Sequence, residues 1–136
     1  MNGYAGPVYD AHLHIVDPRF PLVANEGYLP QSYLAADYRA AAMPLGIVGG
    51  TIVSGSFQAF DQDYLLAALA ELGPSYTGVT QIPASTLDHE ILALDAAGVR
   101  FKDNAFGLDV LAGRNPFAVE DEASLKRYID IVFHDA

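Results

Sequence analysis

Cysteine and tryptophan are absent from this chain of 136 residues, and basic side chains are scarce. Without cysteine there is no disulfide, no thiolate metal ligand and no thiol nucleophile. Seven Lys and Arg face seventeen Asp and Glu, a formal charge of −10. Phosphate binding needs clustered cations, so this balance argues against a nucleic-acid partner and against an anionic membrane surface. Long apolar runs are missing too. The longest, residues 40–53, is broken by Pro44 and several glycines and is too short to span a bilayer. Met1-Asn2-Gly3-Tyr4 lacks the basic and apolar regions of a secretory signal. The expectation is a cytoplasmic protein. With 51% hydrophobic residues the chain can bury a core, and its length suits one domain over residues 1–136.

Against these absences stands Asp10-Ala11-His12-Leu13-His14, entered through Pro7-Val8-Tyr9. Side chains alternate along an extended strand, so Asp10, His12 and His14 are expected on one face. Tyr9, Ala11, Leu13 and Ile15 are expected on the other. Neutral imidazole is the commonest side-chain metal ligand. Two of them at i and i+2 lie roughly 7 Å apart at Cβ, close enough for both rings to lean onto one ion. A His-x-His triplet can also be a surface accident or a hydrogen-bonded pair. Here Asp17-Pro18-Arg19-Phe20-Pro21 follows as a loop, which puts the imidazoles at the mouth of a strand.

Further along, strand-like and helix-like periods alternate. A strand at 8–15 and a loop at 16–31 lead to a helix at 32–43 that stops before Pro44. The buried strand 47–53 runs into Ser54-Gly55-Ser56. A helix at 61–72 ends at Gly73-Pro74, and a third strand covers 76–82. Thr86 is the expected cap of a helix at 87–97 closed by Gly98. A fourth strand starts at Val99, a connection occupies 104–116, and 118–136 reads as one amphipathic helix. This alternation predicts an α/β fold of parallel βα repeats. No G-x-G-x-x-G follows the first strand, which counts against a dinucleotide site.

Val8-Tyr9-Asp10-Ala11-His12-Leu13-His14 resembles the first strand of the amidohydrolase superfamily. Ile15-Val16-Asp17-Pro18-Arg19-Phe20-Pro21, Gly27-Tyr28-Leu29-Pro30 and Leu94-Asp95-Ala96-Ala97-Gly98-Val99-Arg100-Phe101 narrow the likeness. They resemble the amidohydrolase-related branch that includes pyrone-dicarboxylate lactonase and sugar-lactone hydrolases. The resemblance covers residues 7–101 and implies a TIM-type (β/α)8 barrel with its site at the C-terminal strand ends. It implies that His12 and His14 hold a divalent metal, zinc or manganese, which activates water. In metal-free lactonases the same pair would touch substrate, with no cofactor. Tyr28, Ser54 and Ser56 would then lie near a small-molecule substrate. Read without the resemblance, Tyr28 could pack over its loop, and Ser54 and Ser56 could form a turn.

A full barrel takes about 250 residues, so a partial, truncated one is expected here. The histidines of the middle strands and the aspartate of the last strand, which the resemblance leads one to look for, have no candidates. Lys102 sits where some superfamily members carry a metal-bridging modified lysine, although an exposed strand-end lysine explains it as well. His89 is expected on the outer surface of its helix, and His134 either to fray with the chain end or to serve as a cation near a helix C-terminus, rather than to ligate a metal. An open four-stranded parallel sheet needs cover on its inner face. The C-terminal helix or a second copy in a homo-oligomer would supply it. Two functions are thus expected: hydrolysis of a lactone or similar carbonyl compound, or an inactive barrel fragment that binds a small ligand or a subunit.

Overall fold

The computed structural model describes residues 6–101. Lys102, the connection at 104–116, the segment 118–136 and His134 lie outside the described residues. Four strands form one parallel sheet in the order β1-β2-β3-β4: β1 Val8–Leu13, β2 Ile47–Val53, β3 Tyr76–Thr80 and β4 Val99–Phe101. Helices α1 (Ala35–Ala42), α2 (Asp63–Leu72) and α3 (Asp88–Ala96) connect successive strands. The fold is α/β, a consecutive set of βα repeats, as the alternating periods predict. Among the described residues no helix is long and apolar enough to cross a membrane.

Local chemistry sets the boundaries. α1 starts three residues later than its apolar pattern suggests, because Tyr33 is held extended in a two-bond bridge with Val16 (2.8 Å each). The Asp37 carboxylate then accepts the Leu34 N–H at 2.8 Å and closes the helix start. Pro44 does not end the chain's turning. It sits in a 3₁₀ turn, Met43–Leu45, whose first turn needs no N–H from it. Thr86 is not the cap of α3, contrary to expectation. Its hydroxyl donates to the Pro83 carbonyl at 2.6 Å, and the Glu90 carboxylate accepts the Leu87 N–H at 2.8 Å instead. Gly73 ends α2 with φ +98°, a conformation other residues rarely adopt.

The core lies between the sheet and the first two helices. Leu13, Ile15, Ile52 and Val99 from the sheet side meet Tyr38 and Ala42 of α1 and Tyr64, Leu65, Ala68 and Leu69 of α2. Ile52, Leu65 and Val99 have no exposed surface at all. Such burial stabilises by about 2 kcal/mol per large aliphatic side chain. The opposite face of the sheet is mixed: the Thr51 and Thr77 hydroxyls stand 3.4 Å apart across β2 and β3, with half-buried Val53 and Val79 beside them.

Glycine lets β1, β2 and β3 close up. A Cβ on Gly50 would stand 2.5 Å from the Asp10 carbonyl oxygen, a backbone atom that cannot swing away. Gly50→Ala should therefore lower unfolding stability by roughly 1–3 kcal/mol, the usual range for overpacking. Urea denaturation checks this: the midpoint falls with an unchanged slope.

Candidate active site at the ends of the first two strands

Register makes the site. Asp10 pairs with Gly50 and Leu13 with Ile52, so Ala11 and His12 together oppose the single residue Thr51. This is a β-bulge, one extra residue that shifts the alternation. Asp10 and Leu13 consequently both face the helices. The Tyr38 hydroxyl of α1 donates to the Asp10 carboxylate at 3.1 Å. The expected grouping of Asp10 with His12 and His14 is thus corrected, because strict alternation fails across a bulge. Burial, and then the Asp10 hydrogen bond, push the Tyr38 phenol far above its ordinary range.

His12 and His14 are both exposed, and their Nε2 atoms lie 3.3 Å apart. The rings meet edge to face, with centroids at 4.9 Å and planes at 87°. His14 Nδ1 is 2.7 Å from the Val53 carbonyl oxygen at the end of β2. A carbonyl only accepts, so Nδ1 carries the hydrogen and His14 Nε2 presents a lone pair. Phe57 packs against the same ring, with centroids 6.1 Å apart.

This geometry suits a shared ion. Two nitrogens at 2.0–2.1 Å from a tetrahedral zinc stand roughly 3.3 Å apart. The same separation also suits one Nε2–H donating to the other Nε2. Among the described residues no group of three or more His, Cys, Asp or Glu gathers to hold a metal.

The loop after β1 builds one wall. Asn25 and Tyr28 exchange backbone hydrogen bonds of 2.8 Å each, across Glu26 and Gly27 at φ +48° and +82°. Two positive φ values in succession mark a type I′ turn. It leaves Tyr28 projecting, 68% exposed. Val23 N–H donates to the Phe57 carbonyl at 2.7 Å, and the Asn25 amide donates to Ser56 Oγ at 3.0 Å. Nearer the strand, Asp17 is buried and accepts Arg19 Nε at 3.0 Å and Nη2 at 2.6 Å. The Arg19 hydrogen bonds hold its carboxyl below the usual range against the opposing cost of burial.

The site residues anticipated from sequence therefore separate. His12, His14 and exposed Ser56 share the rim at the ends of β1 and β2, with Tyr28 on the loop that Asn25 ties to Ser56. Ser54 does not join them. It is 1% exposed and turned to the helix side, where its hydroxyl interacts with Tyr64. Burial, with the Asp61 charge adding, pushes the Tyr64 phenol far up, while Ser54 pulls it partly back. His89 is exposed on α3.

Sequence reading missed Gln58, in the 3₁₀ turn Ser56–Gln58. It is buried, donates to the Ile15 carbonyl at 2.6 Å and accepts the Gly55 N–H at 2.7 Å. Ala59 follows at φ +48° and ψ −118°, and Asp61 N–H reaches the Gln58 carbonyl at 2.9 Å. That is a type II′ turn with alanine where glycine is favoured. Its carbonyl accepts the Gln81 amide at 2.9 Å, which ties it to the loop after β3.

No protein-family model matches the chain, and no curated protein matches it. Solved structures do. The Agrobacterium tumefaciens protein ATU3138, in its apo form, is 30% identical, with a TM-score of 0.61 over 68% of this chain and 35% of its own. A probable 2-pyrone-4,6-dicarboxylic acid hydrolase from Acinetobacter baumannii, with citric acid bound, is 18% identical. Its TM-score is 0.72 over 91% of this chain and 45% of its own, a likeness of fold. This chain thus spans less than half the length of either relative.

Two substitutions check the loop physics. Ala59→Gly should raise stability by about 1 kcal/mol by removing left-handed strain, read as a higher urea midpoint. Asp17 has a lowered folded-state pKa, so its contribution is present above the unfolded value of about 3.9 and is lost as pH falls through the folded one. Asp17→Asn should remove that dependence, flattening the acid side of a melting-temperature profile between roughly pH 5 and pH 2.

Proposed function

We propose that this chain carries the first-strand portion of an amidohydrolase-superfamily active site, in a partial (β/α)8 barrel that hydrolyses a lactone or similar carbonyl compound. The observation that carries this reading is the pair of exposed Nε2 atoms 3.3 Å apart, with His14 oriented by the Val53 carbonyl at the strand ends. Catalytic groups of βα-repeat enzymes collect at that end of the sheet. The Acinetobacter baumannii neighbour supports the substrate class, since a 2-pyrone is a cyclic ester.

His12 and His14 would hold the metal, zinc or manganese, through Nε2. When bound, such an ion polarises a carbonyl oxygen and lowers the pKa of water. The residues themselves orient. His14 keeps its Nδ1 hydrogen on Val53 and turns Nε2 outward, and Phe57 fixes the plane of its ring. In the metal-free variant of this reading, the same pair of imidazoles contacts the substrate directly. Hydroxyls of Ser56 and Tyr28 are suited to donate to carboxylate or ring oxygens of a small-molecule substrate. The remaining ligands would come from outside the described residues or from a second copy in a homo-oligomer. We place the protein in the cytoplasm.

A second reading is a catalytically inactive barrel fragment that binds a small ligand or a subunit. The lack of a third ligand among the described residues favours it. Calorimetric titration of the metal-stripped chain with zinc or manganese, beside His12→Ala/His14→Ala, separates the metal site from its absence. The expected outcome is binding weakened at least 100-fold in the double variant; equal affinity rejects the pair as ligands. Hydrolysis of 2-pyrone-4,6-dicarboxylate, followed by ultraviolet absorbance, distinguishes enzyme from fragment.

A further inference from the structure

Gln58 is the buried polar side chain that joins the two segments on which the histidines depend. Its Nε2 donates to the carbonyl of Ile15, the residue after His14, at 2.6 Å. Its Oε1 accepts the N–H of Gly55, two residues after Val53, at 2.7 Å. Between these bonds, His14 Nδ1 meets the Val53 carbonyl at 2.7 Å. The three contacts form a closed ring: His14 to Ile15 along the chain, across Gln58 to Gly55, back to Val53, and across to the imidazole. Gln58 is 2% exposed, so water does not compete for either of its bonds. The amide is well chosen for this. A carboxylate could not donate to Ile15, and an apolar side chain would leave both Ile15 C=O and Gly55 N–H without this partner.

We propose that Gln58 is a positioning residue: by clamping Ile15 to Gly55 it holds the Val53 carbonyl on His14 Nδ1 and so keeps His14 Nε2 as the unprotonated, outward-facing nitrogen of the site. The metal consequence rests on the function proposed above; the tautomer consequence does not. A ligand imidazole held by its other nitrogen keeps one tautomer and one ring orientation, and loss of such outer contacts costs 10–100-fold in metal affinity.

The test uses Gln58→Met, which removes both hydrogen bonds at similar length, and Gln58→Glu, which retains the acceptor for Gly55 and loses the donor to Ile15. Two readouts are taken on the full chain: the His14 tautomer in the metal-free protein, from long-range ¹H–¹⁵N spectra at about pH 8.5 where imidazole is neutral, and affinity for zinc chloride alone. In the parent chain His14 should be a single Nδ1–H form. Each variant that retains a cooperative melt should show a tautomer mixture at His14, with zinc binding weakened 10–100-fold. A folded variant with an unchanged tautomer and zinc affinity within twofold overturns the proposal. So does an Nε2–H form of His14 in the parent chain, which needs no variant to be seen. If the parent chain binds no zinc but the variants still lose the single tautomer, the metal reading falls and the clamp stands.

Discussion

One extra residue in β1 is the constraint on which the rest of the site depends. Across from Thr51 the chain spends two residues, Ala11 and His12, where regular pairing would use one. The consequence is a division of labour within five residues. Asp10 and Leu13 turn to the helices, where one is held by Tyr38 and the other fills the core. His12 and His14 stay on the open side, next to each other. Without the bulge an acid and two imidazoles would crowd one face, and Tyr38 would have no carboxylate to receive its buried hydroxyl. A bulge of this kind re-aims side chains at little cost when a close neighbour absorbs the kink. Gly50, with no Cβ against Asp10, is that neighbour.

The loops beyond the strands are held by amides more than by charge. Gln58 links the loops after β1 and β2, while Gln62 and Gln81 exchange bonds with backbone groups after β2 and β3. Side-chain amides both donate and accept, so they can join two backbones without leaving a charge in a dry place. Two ion pairs lie among the described residues: Arg19–Asp17 joins an exposed guanidinium to a buried carboxylate, and Arg100–Asp95 is partly exposed at both ends. The partly exposed Arg100–Asp95 pair contributes little to stability. The loops that frame the strand ends are thus joined to one another through neutral side chains.

Much of the fold was legible because period and punctuation agree. The run Tyr64, Leu65, Ala68, Leu69 marks the face of α2, and Gly73 marks its stop as Gly98 does that of α3. β2 is found where its apolar run predicts. What escaped was what periodicity cannot carry. A bulge adds a residue without altering composition, so Asp10 was misplaced. Ser54 was legible in principle, since it lies two residues beyond the buried Ile52 and continues the same face. The family resemblance suggested a place near the substrate instead. Gln58 belongs to no motif; only its two backbone partners, 43 and three residues away, reveal it. The start of α1 was off by three residues because the bridge from Tyr33 to Val16 pairs two segments far apart in sequence.

The strand order β1-β2-β3-β4 has a kinetic meaning as well. Each strand pairs with its predecessor in the chain, so every strand contact is made within one βα repeat. The contacts that frame the histidine pair, from Val53 and Phe57 to Gln58, all fall within the first 58 residues. During synthesis at about 5–20 residues per second, those partners exist seconds before β4 is made. Every partner that sets the imidazoles is therefore already in the chain when the later repeats are made.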